Sequence, residues 1–160
     1  MDRGCCVAGC GAVEGARVAR SEVGHGRLHL EDDGTIASFD IDDPHELGKM
    51  GEEIATRYLE ACGCSVVARN WRCHFGEVDV IVRSDDETIL VEVKTRRNAQ
   101  AAPELAVDRH KRERYRRLSL CYLNEHPEVV ALRFDIVAVT VSDRTNAHIR
   151  HLMGTCSWDS

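Results

Sequence analysis

Two β-branched, apolar segments separated by a short polar break constrain the fold of this chain more than any other feature. They cover residues 76–83 (Gly-Glu-Val-Asp-Val-Ile-Val-Arg) and 88–96 (Thr-Ile-Leu-Val-Glu-Val-Lys-Thr-Arg). Such a pattern predicts an antiparallel hairpin whose turn is centred on Asp85-Asp86. Pairing of Ser84 with Glu87 would fix the register of the whole hairpin, because the two residue numbers of every directly opposed pair then have the same sum.

This register places Asp79 opposite Glu92 and Glu77 opposite Lys94. Opposed side chains have Cβ atoms roughly 4.5–5.5 Å apart, and two carboxylates at that distance repel each other unless a cation lies between them. Lys94 shares a face with Glu92, because residues two apart in a strand point the same way. We therefore predict that Asp79 and Glu92 hold a divalent ion, Mg²⁺ or Mn²⁺, with the Lys94 ammonium beside it. The alternative is a set of ordinary charges on a solvated strand face, with Glu77 as the partner of Lys94.

Length and composition fit one soluble domain. The chain has 160 residues, 43% of them hydrophobic, which is enough for a single core. No apolar run approaches the roughly 20 residues that span a bilayer, and the N-terminus lacks the apolar segment of a secretory signal. We expect a cytoplasmic protein without a membrane partner. Its domain should cover residues 43–153, after a disordered extension (1–42) with a short strand near 27–30, and before a flexible tail (154–160).

Capping signals predict two helices. The first begins at Asp43-Pro44 and ends at Gly63, and the second begins after Asp108 and ends before Pro127. At 100° per residue the first helix has one buried stripe, formed by residues 47, 51, 54, 55, 58 and 62. Glu52 flanks this stripe and could reach a site at the sheet edge, although a glutamate in a first turn is also favoured by the helix dipole.

Strand signals surround the hairpin. Residues 65–73 form a strand before it, and residues 132–141 form a strand after the second helix, which as a crossover places them parallel to the third strand. Asp135 on this strand would be buried and needs a partner. A short edge strand at 148–152 follows, and an exposed edge would allow a homodimer.

The net charge of −6 conceals a local basic segment. Residues 1–50 carry five basic and ten acidic side chains, whereas residues 94–117 carry nine basic and three acidic ones. A basic segment directly after the hairpin could hold a nucleic acid beside the metal, although such runs also form solvated helix faces. The predicted nucleic-acid-binding residues are Arg96, Arg97, Lys111, Arg112 and Arg116. Trp71 and Phe75 could stack on bases, but aromatic side chains near a turn more often belong to the core.

Eight cysteines lie at positions 5, 6, 10, 62, 64, 73, 121 and 156. Their spacing matches no zinc or thioredoxin pattern. We therefore predict free thiols, with Cys62 and Cys121 in the core.

Six motifs in order carry a resemblance to a known family. They are Leu47-Gly48-x-x-Gly51-Glu52-x-x-Ala55-x-x-Tyr58-Leu59, Arg69-Asn70-Trp71-Arg72, Gly76-Glu77-Val78-Asp79, Val91-Glu92-Val93-Lys94-Thr95-Arg96, Lys111 and Arg133-Phe134-Asp135. Together they resemble the YraN family of endonuclease-like proteins, within the P-D-(D/E)-x-K nuclease superfamily that includes restriction enzymes and Holliday-junction resolvases. The match covers roughly residues 46–152, and Val78 stands where the superfamily motif has proline.

The resemblance implies a fold and an activity. The fold would be α/β, with an αβββαβ restriction-endonuclease-like core in which helices flank a mixed central sheet. The activity would be Mg²⁺-dependent hydrolysis of phosphodiester bonds in DNA, including branched or structured DNA. Asp79 and Glu92 would be metal ligands, Lys94 the catalytic lysine and Glu52 an acid that completes the site. The alternative is a nucleic-acid-binding module whose nuclease site is vestigial.

Overall fold

The computed structural model describes residues 23–29, 39–97, 107–142 and 146–155. Its elements are β1 (Val23–His29), α1 (Pro44–Ala61), β2 (Ser65–Cys73), β3 (Gly76–Ser84), β4 (Glu87–Arg97), α2 (Arg109–Glu125), β5 (Ala131–Val141) and β6 (Asn146–Leu152). The run from α1 to β5 confirms the predicted αβββαβ order. The rest of the predicted N-terminal extension before residue 39, the connection from 98 to 106 and the tail from 156 lie outside the described residues.

The strands form one mixed sheet in the order β1-β6-β5-β4-β3-β2. β5 runs parallel to β4, as the α2 crossover predicts, and the other neighbours are antiparallel. The prediction that residues 148–152 form an edge strand is wrong, because β6 lies between β5 and β1. The edge strand on this side of the sheet is β1, which pairs with β6 from Val23↔Leu152 to His29↔Asn146, so the sheet includes part of the predicted N-terminal extension.

The two helices cover opposite faces of the sheet, each with its own apolar core. α1 begins where predicted, because the Asp43 carboxylate accepts hydrogen bonds from the backbone N–H groups of His45 and Glu46 at 2.8 and 3.1 Å. It ends before Gly63, whose φ of +87° favours glycine. Asp108 caps α2 by accepting from the backbone N–H of Lys111. In the part of the chain that the structure describes, neither helix is long and apolar enough to cross a membrane.

The buried cysteine is not one of those predicted. Cys62 is half-buried and packs against the core beneath α1, Cys121 is half-buried, and Cys64, the residue before β2, is buried. On α2, Ser119 takes the buried position instead of Cys121. The apolar face of α1 is also wider than the predicted stripe, since Met50 and Leu59 are buried as well. The four cysteines in the described residues form no disulfide with one another.

Gly51 allows α1 to lie directly against β4. A Cβ atom at this position would lie 1.7 Å from Thr95 Oγ1, whereas a Cβ atom at Gly48 would meet nothing within 4 Å. Both glycines are helical, so replacement by alanine gains about 1 kcal/mol of helix propensity at either position. Only at Gly51 is a steric cost of typically about 1–3 kcal/mol added.

We expect Gly51→Ala to lower the free energy of unfolding and Gly48→Ala to raise it by up to about 1 kcal/mol. Urea denaturation of both variants measures this difference. Equal stability of the two variants would contradict a close contact between α1 and β4.

Candidate active site

The hairpin of β3 and β4 opens before it reaches the two acids. The predicted register holds for five pairs, from Ser84↔Glu87 to Val80↔Val91, around a turn in which Asp85 has a φ of +51°. The β3–β4 ladder then ends, whereas β3 stays paired with β2 as far as Gly76. The predicted direct pairs, Asp79 opposite Glu92 and Glu77 opposite Lys94, are therefore not formed.

A change in the alternation of β3 accompanies this opening. Val78 and Ile81 both pack in the core beneath α2, although they are an odd number of positions apart and side chains in a regular strand alternate every two. The irregularity surrounds Asp79. Its Oδ2 atom accepts a hydrogen bond of 2.6 Å from the backbone N–H of Val93, so the aspartate side chain contacts the β4 backbone where the ladder has ended.

The opening forms a polar cavity of about 370 Å³ between the two strands and both helices. Its charged lining residues are Glu52, Glu77, Asp79, Glu92, Lys94 and Arg114. The four residues that the sequence predicted as catalytic thus lie in one cavity, although Asp79 and Glu92 reach it from diverging strands rather than from an opposed pair. Glu52 comes from α1, and Glu53 on the other side of that helix pairs with Arg57 and Arg69 instead.

Two cations contact the most buried of these acids. The Glu92 side chain is 5% exposed, and its Oε1 atom lies 2.6 Å from Lys94 Nζ and 3.7 Å from Arg114 Nη1. The Lys94 side chain is 41% exposed, so its ammonium group lies at the boundary between Glu92 and solvent. Arg114 projects from α2 and closes the cavity on that side.

The negative charges of Asp79 and Glu52 are less compensated by nearby cations than that of Glu92. Burial raises the pKa of Asp79 to about 6, and the negative charges of Glu92 and Glu52 add to this rise, against the lowering by the Val93 N–H and Lys94. Burial also raises the pKa of Glu52. Among the described residues, no lysine or arginine forms an ion pair with Asp79 or Glu52. The cavity thus combines four carboxylates with two cations that both contact Glu92.

This arrangement suits a divalent cation. Carboxylate oxygens are the ligands that Mg²⁺ and Mn²⁺ prefer, and such ions keep several waters, which an open polar cavity provides. A cation beside Asp79 would also offset the negative charges of Glu92 and Glu52, which add to the rise that burial causes in its pKa.

Glu77 has a different partner from the one predicted. It forms an ion pair with Arg72 on β2, at 3.1 Å between Arg72 Nε and Glu77 Oε2, because β3 stays with β2 at this position. Of Glu77 and Glu92, Lys94 therefore contacts only Glu92.

The predicted nucleic-acid-binding residues have varied surroundings. Arg96 follows Lys94 on the same side of β4 by strand alternation, and Arg97 forms an ion pair with Asp42 just before α1. Lys111 is half-buried on α2. Arg112 and Arg116 do not line the cavity, and each lies about 160° around α2 from Arg114. Their role stays a prediction.

Sequence reasoning missed Arg114, which lay within the basic segment but was not singled out. A second groove of about 240 Å³ adjoins the cavity through this residue and is lined by Phe75, His110, Glu113, Arg114 and Arg117. Residues 110, 113, 114 and 117 follow the helical spacing of three and four, which could have identified the shared face.

The two aromatic candidates differ. Trp71 packs edge-on against Tyr122, and its indole N–H donates to Glu125, so it attaches β2 to α2. Phe75 is 39% exposed, and the Arg117 guanidinium lies 5.8 Å from the centre of its ring. Of these two aromatic residues, Phe75 therefore offers the more accessible ring, and this ring lies beside Arg117 of α2.

Comparison with known proteins identifies similar chains of uncharacterised function. Residues 51–139 match the family described as "Uncharacterised protein family UPF0102". A UPF0102 protein of Parafrankia sp. (strain EAN1pec) is 40% identical over 111 residues, which cover 68% of this chain and 93% of that protein. A UPF0102 protein of Kineococcus radiotolerans is 44% identical over 111 residues (68% and 91%), and one of Nocardia farcinica is 44% identical over 114 residues (70% and 90%).

Proposed function

This chain belongs to the uncharacterised UPF0102 family, which is the YraN family, and we propose that it is a metal-dependent nuclease that hydrolyses phosphodiester bonds in DNA. One observation carries the proposal. Four carboxylates, a lysine and an arginine line one open cavity where β3 and β4 diverge. The resemblance of the Asp79 and Glu92-x-Lys94 motif to Holliday-junction resolvases favours branched or structured DNA as the substrate.

Asp79 and Glu92 would hold Mg²⁺ or Mn²⁺, and Glu52 would complete the acidic set from α1. When bound, such an ion polarises a phosphate oxygen and lowers the pKa of a coordinated water. Lys94 has its ammonium at the solvent boundary, 2.6 Å from Glu92, where it can donate to the attacking water or to the charge that develops on the phosphate. Arg114 can donate to an adjacent phosphate.

The reaction needs no covalent enzyme intermediate. Water adds to phosphorus and gives up one proton to solvent, one P–O ester bond breaks, and the leaving oxygen takes up a proton. One water is consumed for each bond cleaved. Among the cavity-lining residues in the described chain, Thr95 alone carries a hydroxyl or thiol group, and its Oγ1 packs against Gly51 of α1.

The proposal is tested by incubating the full chain with junction, flap, single-stranded and duplex DNA in the presence of Mg²⁺ or Mn²⁺. Asp79→Ala and Lys94→Ala chains, prepared in the same way, serve as controls against contaminating nucleases. Metal-dependent cleavage that both substitutions abolish supports the nuclease. Cleavage that neither substitution affects removes the assignment, and salt-sensitive DNA binding without turnover supports a binding module with a vestigial site.

Arg114 and Arg112 provide a matched pair for locating the DNA path. Both are exposed arginines on α2, but only Arg114 lies between the cavity and the second groove. We expect Arg114→Ala to weaken DNA binding and to reduce the slope of log affinity against log salt by about 1, because one phosphate contact is lost. Arg112→Ala is expected to change affinity much less.

Fluorescence anisotropy at several salt concentrations, without divalent metal, measures both affinities. A larger loss in Arg112→Ala than in Arg114→Ala would place the DNA on the opposite flank of α2, where the basic segment of the sequence also offers Arg116.

A further inference from the structure

A second group of potential metal ligands lies outside the cavity, at the turn between β2 and β3 and on the facing side of α2. Cys73 ends β2, His74 follows it in the turn, and Cys121 projects from α2. One ligand atom from each, two sulfurs and a ring nitrogen, lie within 4.8 Å of one another. We propose that Cys73, His74 and Cys121 bind a zinc ion that joins α2 to the β2–β3 turn.

The mutual distances fit a common centre. Zn–S bonds of about 2.3 Å and Zn–N bonds of about 2.0 Å in a tetrahedron place the ligand atoms roughly 3.5–3.8 Å apart. The three atoms need only small side-chain rotations to reach this spacing. His74 is exposed and both thiols are half-buried, so a metal has a path of entry.

A candidate fourth ligand lies beside Cys121, although not within 4.8 Å of all three other ligand atoms. Glu125 lies one helical turn after Cys121, with its Oε1 atom 3.9 Å from Cys121 Sγ. Its other oxygen accepts from the Trp71 indole N–H at 3.3 Å, which orients the carboxylate. Two cysteines, one histidine and one carboxylate are the ligand types that zinc accepts in a tetrahedral site.

A backbone amide also contacts the Cys73 sulfur. The N–H of Phe75 donates to Cys73 Sγ at 3.4 Å, because the turn after β2 folds this amide back towards the sulfur. A hydrogen bond of this kind stabilises the negative charge that a metal-bound sulfur carries. Soft sulfur ligands select zinc over Mg²⁺, so this site and the carboxylate cavity would not compete for the same ion.

The site would fix the position of the basic helix. Two residues of the second groove adjoin the proposed ligands. Phe75 follows His74 in the turn, and Arg117 lies on the same helix as Cys121. A metal link between the turn and α2 would hold the two sides of that groove together. This role does not depend on nuclease activity, because the ligands lie outside the carboxylate cavity.

The test uses the full chain, reduced, stripped of metal and titrated with Co²⁺ as a spectroscopic probe for zinc. All chains carry serine in place of the cysteines outside the described residues, at positions 5, 6, 10 and 156, to remove competing thiols. We expect one equivalent of Co²⁺ with the absorption bands of a tetrahedral thiolate complex, displaced by one equivalent of Zn²⁺. Loss of an outer-shell partner typically weakens metal binding about 10–100-fold, so Cys121→Ser, which removes a ligand, should weaken it by more than about 100-fold.

His74→Asn and Cys62→Ser make the result specific. His74 is exposed, so its replacement is expected to remove Co²⁺ binding without unfolding the chain, whereas Cys62→Ser should bind as well as the parent. Zn²⁺ should also raise the melting temperature of the parent but not of Cys121→Ser. Co²⁺ binding that survives both Cys121→Ser and His74→Asn overturns the proposal. So does a parent chain that binds no Co²⁺ and forms a Cys73–Cys121 disulfide in air.

Discussion

Replacing Asp79 with asparagine is expected to abolish metal-dependent DNA cleavage while making the metal-free protein more stable. The loss of activity follows from removal of a metal ligand, and we expect a decrease of at least roughly 100-fold in the cleavage rate. The gain in stability follows from the environment of the carboxylate. The asparagine side chain would keep an oxygen that accepts from the Val93 N–H, but it would carry no charge beside Glu92 and Glu52.

The size of the stability effect depends on pH. The pKa of Asp79 is raised from 3.8 to about 6, so the folded state holds the proton more tightly than the unfolded chain does. The stabilisation is complete below 3.8 and is lost as the pH rises through about 6. At pH 8 the ionised carboxylate should therefore cost about 1–3 kcal/mol, since each pKa unit corresponds to about 1.4 kcal/mol. Asparagine avoids this cost.

Urea denaturation at pH 5 and pH 8 measures this effect, with and without Mn²⁺. We expect the advantage of Asp79→Asn over wild type to be larger at pH 8 than at pH 5. Mn²⁺ should stabilise the wild type and not the variant, because the ion binds the folded state through Asp79. A variant that is less stable than wild type at pH 8, or equally stabilised by Mn²⁺, would show that Asp79 is a structural residue.

Local rules predicted the elements of this fold well. The Asp43 cap, the Gly63 stop and the two-residue turn at Asp85-Asp86 each depend on neighbours in sequence, and all three lie where predicted. The parallel placement of β5 followed from the helix before it. These features depend on local backbone hydrogen bonds and on the alternation of side chains along a strand. Both can be recognised in a short stretch of sequence.

Contacts between distant elements were harder to predict. The constant number sum placed Asp79 directly opposite Glu92, but β3 keeps its pairing with β2 and leaves β4 before that point. Arg114 and the group formed by Cys73, His74 and Cys121 depend on how α2 packs against the β2–β3 turn. Neither the spacing of the cysteines nor the number of basic residues reveals that orientation. The sequence therefore predicted which acids and which lysine lie in the cavity, but not all their partners.

Asp135 shows how a buried charge in this fold is compensated. It is fully buried on β5, and its carboxylate accepts two hydrogen bonds from Arg133, at 2.9 and 3.1 Å. His151 on β6 lies 2.9 Å from Oδ2, and the backbone N–H of Gly154 donates to Oδ1 at 2.9 Å. This set of contacts supplies the partner that the sequence required. It joins β5 to β6 and to the segment after β6.

The pKa of Asp135 reflects this compensation. Burial alone would raise it, but the hydrogen bond and charge of His151, together with the Arg133 guanidinium, outweigh burial and lower the pKa below 3.8. The ionised carboxylate therefore stabilises the fold above 3.8, and this contribution is lost as the pH falls through the lowered pKa.

Asp135→Ala is expected to lower the free energy of unfolding by about 3–5 kcal/mol, because Arg133 and His151 keep their buried polar groups and lose the acceptor. For a chain of this size that loss corresponds to a decrease of roughly 10 °C in melting temperature. Glu87→Gln is the matched control. Glu87 also accepts from Arg133, at 2.6 Å, but its side chain is 32% exposed, so the expected cost is below about 1 kcal/mol.

A triple variant separates the charge from the packing. Replacing Arg133 with methionine and both Asp135 and His151 with leucine removes every member of the buried ionic group at once. Apolar replacement of such groups is often neutral or stabilising, so the triple variant should recover most of the stability that Asp135→Ala loses. Thermal unfolding of the wild type, Asp135→Ala and the triple variant measures this recovery. A triple variant as unstable as Asp135→Ala would mean that the ionic group itself, rather than the cost of leaving its partners unsatisfied, holds β5 and β6 together.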